Sequence, residues 1–222
     1  MSRIFALALV TMLAVPAAAQ TPGFVQVDGR AMLPIGEWAD NFSFPDESQF
    51  GAGPAGRVSF GMAPKNSRFF TVGLEAGYTH VGTSAWEEFT ASRSSRVDAS
   101  ARMWSLMAGG TVSLPGRGRS TFGAELHGAL GVLVPSGEER FQGRSYEYDF
   151  LQTTIAGRLG ARGVWKLGEF DLWLGADFLV APGAVRHTEP LASANAPLAR
   201  SLERRTLTAL EPGAGLRYWF SL

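Results

Sequence analysis

The stretch GAGLRYWFSL, residues 213–222, places a large apolar side chain at every second position. These side chains are Leu216, Tyr218, Phe220 and Leu222. The positions between them carry an arginine, a tryptophan and a serine. A period of two is typical of a β-strand whose two faces meet different surroundings. We therefore expect this segment to form a strand with one continuous apolar face.

The same alternation recurs along the chain in eight stretches, whereas helical periodicity is weak. The eight stretches lie near residues 23–33, 52–62, 68–80, 101–114, 121–134, 150–165, 170–180 and 206–222. No segment after Gln20 has the run of about eighteen apolar residues that a spanning helix needs. The sequence therefore predicts an all-β chain with eight antiparallel strands.

Short and long connections alternate between these stretches. The short ones, APKNS, PGRGR and KLGE, contain turn-forming residues and are typical of hairpins. The long ones lie near residues 34–51, 81–100, 135–149 and 182–205. All short turns then fall on one side of the sheet and all long connections on the other. An antiparallel transmembrane barrel has this asymmetry, with short periplasmic turns and long extracellular loops.

The composition narrows the class of function. The 222 residues include 20 Lys+Arg and 20 Asp+Glu, so no overall basic charge points to nucleic acid as a partner. Lys65 and Lys166 are the two lysines, whereas soluble proteins usually keep many charged residues on their surface. Cysteine is absent, which excludes disulfides, thiolate metal sites and cysteine nucleophiles.

The first twenty residues, MSRIFALALVTMLAVPAAAQ, have the pattern of a secretory signal peptide. Arg3 precedes an apolar run from Ile4 to Val15, and residues 17–19 form an A-x-A cleavage site. The apolar run is too short to span a bilayer comfortably. We predict a signal peptide over residues 1–19 and one β-barrel domain over residues 20–222, exported from the cytoplasm.

Alternation alone leaves two orientations of the barrel open. A soluble lipocalin-like ligand binder packs its apolar face inside, whereas a membrane barrel turns that face towards lipid. The membrane orientation is favoured because the polar face consists of small residues and a few charges, which suit the narrow interior of eight strands. Aromatic residues also gather near the strand ends, as at bilayer interfaces. Since unpaired backbone groups cost several kcal/mol in hydrocarbon, the last strand is expected to pair with the first.

With these features the chain resembles the small outer-membrane β-barrels of Gram-negative bacteria, of the outer-membrane protein A and X type. The stretch LPIGEWADNFSFPDESQFGAG with the following RVSFGM is similar to the first loop and second strand of the outer membrane protein beta-barrel domain group. Residues 218–222 are similar to the signal read by the barrel-assembly machinery, although they end on Leu rather than Phe. The resemblance implies the cell outer membrane as location, and outer-membrane lipid, lipopolysaccharide and that machinery as partners.

Charged residues on the polar face form the candidate site. Six acids, five arginines and one histidine are predicted to point into the lumen as a polar network. They are Asp28, Arg30, Arg57, Glu75, Glu125, His127, Arg158, Arg162, Asp171, Asp177, Glu211 and Arg217. The near balance of sign favours ion pairs across the lumen, since an ion-selecting field would need an excess of one sign. We predict a packed polar core that stiffens the barrel, with a gated narrow conduit as the alternative.

Catalysis has little support in the sequence. His80, His127 and His187 lie far apart and match no metal-binding motif, so neither a metal nor a cofactor is predicted. His127 follows Glu125 by two residues on the same face, which leaves a base and its orienting carboxylate as one interpretation. A lipid-modifying barrel enzyme of the lipid A deacylase kind would instead need a histidine and a serine on the outer face.

The predicted function is a non-enzymatic integral outer-membrane protein with a structural or surface-interaction role. The alternatives are a narrow pore for small solutes, a soluble lipocalin-like ligand binder and a lipid-modifying barrel enzyme. Residues 84–100 and 137–150 are polar, charged and dotted with aromatics. Such connections are where an extracellular ligand is expected to bind.

Overall fold

The computed structural model describes residues 21–35, 52–64, 69–90, 93–114, 121–141, 144–147, 152–190 and 200–221. These residues form nine strands: β1 Pro22–Ile35, β2 Gly53–Met62, β3 Phe70–Thr90, β4 Arg93–Leu114, β5 Phe122–Phe141, β6 Arg144–Glu147, β7 Thr154–Leu167, β8 Phe170–Pro190 and β9 Arg200–Ser221. Within the described residues, no helix has the length and apolar composition needed to cross a membrane. The predicted signal peptide lies outside them.

Eight of the described strands close into an antiparallel barrel. The neighbours follow the order β4-β3-β2-β1-β9-β8-β7-β5, and pairing of β4 with β5 completes the ring. The predicted pairing of the last strand with the first is confirmed, since β1 and β9 pair from Pro22 opposite Ser221 to Ile35 opposite Thr208. The four-residue β6 adds to the far end of β5. Closure pairs the barrel's edge strands, as the hydrocarbon argument requires.

Alternation along each strand decides which side chains enter the lumen. On β7, Leu159 points outward and is 71% exposed, whereas its neighbour Arg158 points inward and is 4% exposed. Successive side chains of a strand face opposite sides of the sheet, so a strict period of two separates the two sets. The apolar set therefore lies outside and the charged set inside, as predicted.

Strands extend into segments that are predicted from the sequence to be long connections. β3 continues to Thr90 and β4 begins at Arg93, so most of the predicted 81–100 connection is a paired hairpin. β8 and β9 likewise pair as far as Pro190 opposite Arg200. Backbone hydrogen bonds continue the ladder there without an apolar stripe, so the sequence pattern ends before the strand does. Residues 36–51 and 191–199 lie outside the described residues.

The interior is apolar at both ends and charged in the middle. Along β1, the inward side chains run Phe24, Gln26, Asp28, Arg30 and Met32 from the turn end to the loop end. What we call the apolar layer lies at the loop end. It comprises Met32, Val81, Ala101, Met103, Met107, Leu133, Ala156, Leu179, Ala181, Ala184, Leu207 and Ala209. What we call the aromatic end lies at the turns and comprises Phe24, Ala63 and Trp219.

The apolar layer and the aromatic end correct the prediction of a packed polar core, because the polar residues fill only the middle of the interior. Phe24 and Trp219 are aromatic residues near the strand ends, but they lie inside and are only 6% and 3% exposed. Alternation along β1 and β9 places both side chains on the inward face, although both are apolar. The inward face is therefore selected by position in the strand and not by polarity.

Candidate functional site

All twelve predicted lumen residues lie in the barrel interior, and each is at most 7% exposed. They occupy the middle of the lumen, between the apolar layer and the aromatic end, and we call them the charged layer. Within the described part of the chain, every barrel strand except β4 contributes at least one member. The site is therefore assembled from residues distributed over almost the whole circumference.

Asp177 is the centre of the charged layer. Its Oδ2 atom lies 2.9 Å from Arg30 Nη1, 2.8 Å from Arg57 Nη2 and 3.2 Å from Arg162 Nη2. His127 Nδ1 lies 3.2 Å from the same oxygen. One carboxylate thus holds guanidinium groups from β1, β2 and β7. Charge-assisted contacts of this kind are among the stronger polar interactions in proteins.

Arg57 joins three acids. Its Nε atom donates to Asp28 Oδ1 at 3.3 Å, its Nη1 to Glu75 Oε1 at 3.3 Å and its Nη2 to Asp177 at 2.8 Å. Asp28 also accepts from Arg30 Nε at 2.7 Å. The planar guanidinium offers five donors in a fixed geometry, which lets one side chain fix the relative positions of several strands.

Arg158 lies where the charged layer meets the apolar layer. Its Nε atom donates to Glu211 Oε2 at 2.8 Å, and its Nη1 donates to Glu75. The same Nη1 lies 3.3 Å from Met107 Sδ. The guanidinium therefore satisfies two acids on one side and packs against a thioether on the other.

Arg217 anchors the charged layer near the turns. Its two Nη atoms donate to the two oxygens of Glu125 at 2.9 and 2.8 Å, a bidentate pair. Glu125 also accepts from Ser113 Oγ at 3.1 Å, and Arg217 Nε donates to Gln26 Oε1 at 3.1 Å. This pair links β9 to β5, which do not neighbour one another in the sheet.

The aromatic end is coupled to the same arginine. The Arg217 guanidinium carbon lies 5.3 Å from the Phe24 ring centre and 5.6 Å from that of Trp219. Trp219 Nε1 donates to Asp171 Oδ2 at 2.6 Å. Cation–π attraction and this hydrogen bond hold both rings across the turn end of the lumen.

Trp173 is an interior residue that is not among the twelve predicted lumen residues. The guanidinium carbons of Arg30 and Arg162 lie 4.8 and 4.5 Å from its ring centre. Space for this ring comes from Gly215 on β9, where a Cβ would lie 2.6 Å from Trp173 Nε1. Gly160 on β7 likewise leaves space for Asp177, because a Cβ at position 160 would overlap the Asp177 carboxylate. The inward parity of Trp173 was the signal available in the sequence.

The charged layer encloses a small cavity. This cavity of about 30 Å³ has Ser59, Thr71, Thr111, His127 and Arg162 among its walls. A polar cavity of this size holds about two water molecules. Among the described residues, no group of three or more His, Asp or Glu side chains is arranged to hold a metal ion.

The possible pairing of His127 with Glu125 is not formed. Glu125 binds Arg217, and His127 Nε2 instead lies 3.2 Å from Glu75 Oε2. Residues two apart on a strand share a face, but each side chain here contacts partners on other strands. The side chain of His187 and the connections at 84–99 and 138–150 lie outside the described side chains.

A closed eight-stranded barrel with an apolar exterior and a charged interior is the fold of the small outer-membrane β-barrels. Neisserial surface protein A is structurally similar, with 15% identity, coverage of 89% of this chain and 97% of that chain, and a TM-score of 0.53. At this identity the similarity shows the fold alone.

Two further solved structures match with lower scores. Ail, the attachment invasion locus protein of Yersinia pestis, is 11% identical over 90% of this chain and 100% of its own, with a TM-score of 0.45. OprG from Pseudomonas aeruginosa is 14% identical over 91% and 97%, with a TM-score of 0.41. Scores this low add nothing to the assignment of the fold. No sequence family and no curated protein matches the chain.

Proposed function

We propose that this chain is a non-conducting, non-enzymatic integral protein of the outer membrane, which acts through a structural or surface-interaction role at its loop end. The observation that carries the proposal is the division of its side chains. The outward face is apolar, and the inward face is filled at three successive levels by the aromatic end, the charged layer and the apolar layer.

The outward surface supports a bilayer environment. Leu130, Leu159 and Leu174 are 64, 71 and 59% exposed, an arrangement that is unfavourable in water. Aromatic pairs flank this apolar surface at both ends. At the turn end they are Phe122 with Trp165 and Phe170 with Tyr218, and at the loop end Tyr78 with Trp104. Such rings are expected at the two interfaces of a spanning barrel.

The lengths of the strands support a role outside the membrane. β3 and β8 have 21 residues each, and β4 and β9 have 22. A strand crosses a bilayer with about 9–11 residues, so roughly half of each of these strands is available beyond the apolar band. Paired hairpins of this length offer a surface to a partner outside the cell.

Orientation can be tested with a photo-crosslinker that labels lipid acyl chains. We expect adducts when the reactive side chain replaces Leu174, an exposed outward residue in the turn-end half of β8, and none when it replaces Glu169 in the exposed β7–β8 turn. The protein is reconstituted in vesicles for both variants. A soluble ligand binder predicts no adduct at either position and release of the native protein by carbonate washing of membranes.

Conduction and catalysis have separate tests. In planar bilayers, purified protein should give no discrete openings, because Arg217 and Asp177 lie in a lumen whose polar cavity is about 30 Å³. Regular single-channel steps would favour the narrow pore instead. Expression of the protein should leave the mass spectrum of lipid A unchanged relative to an empty vector. A new lipid A mass would favour the lipid-modifying enzyme.

A further inference from the structure

Arg102 places a positive charge on the outward face of the barrel. In the part of the barrel strands whose side chains the structure describes, the inward charges alternate with outward side chains that are mostly apolar or small. Among the outward side chains that the structure describes on these strands, Arg102 on β4 carries the one fixed charge, and it is exposed. A charge on a lipid-facing surface is costly, so its position calls for a compensating partner.

Arg102 lies at the loop-end boundary of the apolar band. The outward side chains of β4 run from Leu114 at the turn end to Trp104 at the loop end, and Arg102 follows. Ten residue steps of about 3.3 Å, tilted by about 40°, give a band of about 25 Å, which is the height expected of a spanning barrel. The guanidinium therefore stands just beyond the acyl chains, at the level of lipid headgroups.

The neighbours of Arg102 complete a site that has hydrogen-bond donors at the loop end and aromatic rings on the side towards the membrane. His80 on β3 is its direct cross-strand partner on the same face, so the two Cβ atoms are about 5 Å apart. Tyr78 and Trp104 form the next outward pair towards the membrane, with ring centres 4.7 Å apart. Trp104 is 60% exposed and presents its ring to the lipid.

From this arrangement we propose that Arg102 and His80 bind the phosphate group of a glycolipid in the outer leaflet, while Tyr78 and Trp104 contact the upper part of its acyl chains. The planar guanidinium donates two parallel hydrogen bonds to a phosphate, and the imidazole supplies a further N–H. Among the described residues, no acid forms an ion pair with Arg102. The inference rests on the proposed location in the outer membrane.

The test compares the thermal stability of the full-length barrel in vesicles that differ only in the lipid A phosphate groups of the lipopolysaccharide. Phosphatidylcholine vesicles contain either lipopolysaccharide or the same lipopolysaccharide with its lipid A phosphates removed. The midpoint of unfolding is read from the loss of folded mobility on a denaturing gel. The wild-type midpoint should be about 2–4 °C higher with the phosphorylated lipid.

Two variants locate the effect. Arg102→Gln should lose at least half of that shift. Lys166→Gln, which removes an exposed cation at the opposite, turn end of the barrel, should keep it. An equal shift in wild type and R102Q would overturn the site, as would an equal loss in both variants. Reproduction of the shift by millimolar inorganic phosphate with dephosphorylated lipid would overturn a lipid as the ligand.

The outcomes for the site and for the proposed location are separable. If the wild-type protein inserts into both vesicles and its midpoint is the same, the phosphate site is wrong and the barrel remains a membrane protein. If it inserts into neither, the proposed function fails and the site with it.

Discussion

The charged layer and the apolar layer occupy one lumen and are equally buried, yet they hold the barrel together in different ways. They meet on β8, where Asp177 and Leu179 are successive inward residues with exposures of 0% and 1%. Leu179 contributes through contacts that have no preferred direction. Asp177 contributes through contacts with defined distances and angles to three arginines.

This difference gives the two layers different roles. A slip of one residue in strand pairing would move the charged side chains to the lipid face, so the charged layer strongly opposes it. The pairs span the sequence, since Arg57 and Asp177 are 120 residues apart and Gln26 and Arg217 are 191 apart. The apolar layer tolerates rearrangement more readily and acts mainly as a seal. The charged layer thus fixes the register of the barrel.

The largest expected effect comes from Asp177→Asn. The substitution keeps the shape of the side chain and removes the charge that three arginines share. Breaking a buried pair while its partner stays charged costs about 3–5 kcal/mol, so the free energy of unfolding should fall by about that amount. The measurement is urea unfolding in vesicles, followed by folded mobility on a denaturing gel.

The matched control for this prediction is Glu169→Gln in the exposed β7–β8 turn, which removes the same charge from water. It should change the free energy of unfolding by less than about 0.5 kcal/mol. An Asp177→Asn protein as stable as the wild type would show that the charged layer does not hold the register.

An intermediate effect is expected from Leu179→Ala in the apolar layer. The substitution leaves a cavity between packed side chains and should cost about 3 kcal/mol. Leu174→Ala removes the same atoms from the outward face of the same strand, where mobile lipid chains fill the space. Its cost should be clearly smaller in the same urea titration. Equal losses for the two variants would mean that interior and exterior packing do not differ in this barrel.

Much of this architecture follows from the sequence, because period-two alternation is a local property. The stretch at 170–180 alone places Leu172 and Leu174 on the outward face and Asp171 and Asp177 on the inward face, and the structure agrees. The same alternation predicts that the Trp173 side chain points inward. Polarity alone does not identify Trp173 as a lumen residue, because its side chain is largely apolar, whereas its position in the alternation does.

The pairing within the charged layer does not follow from the sequence. Glu125 and His127 share a face, yet each contacts partners on other strands, because the stagger of a closed barrel decides which inward side chains meet. The extended strand ends are also hidden, since β3 continues to Thr90 without an apolar stripe. Local pattern gives the face of each residue, while its partners depend on the closed geometry.

The smallest expected effect comes from Trp219→Phe at the aromatic end, where both kinds of interaction meet in one side chain. The ring that stacks beneath Arg217 is retained in part, and the hydrogen bond from Nε1 to Asp171 Oδ2 at 2.6 Å is lost. Hydrogen bonds to charged groups contribute about 1.5–3 kcal/mol, and we expect a loss near the lower value because Arg217 Nη1 lies 3.7 Å from the same oxygen.

Trp165→Phe is the control, because Trp165 points outward and pairs with the Phe122 ring at 5.0 Å. The free energy of unfolding of both variants is measured by urea titration. Equal losses for the outward and the inward substitution would contradict the prediction. The Trp219 ring alone would then hold the turn end, and the directional contacts of the charged layer would stop at Asp171.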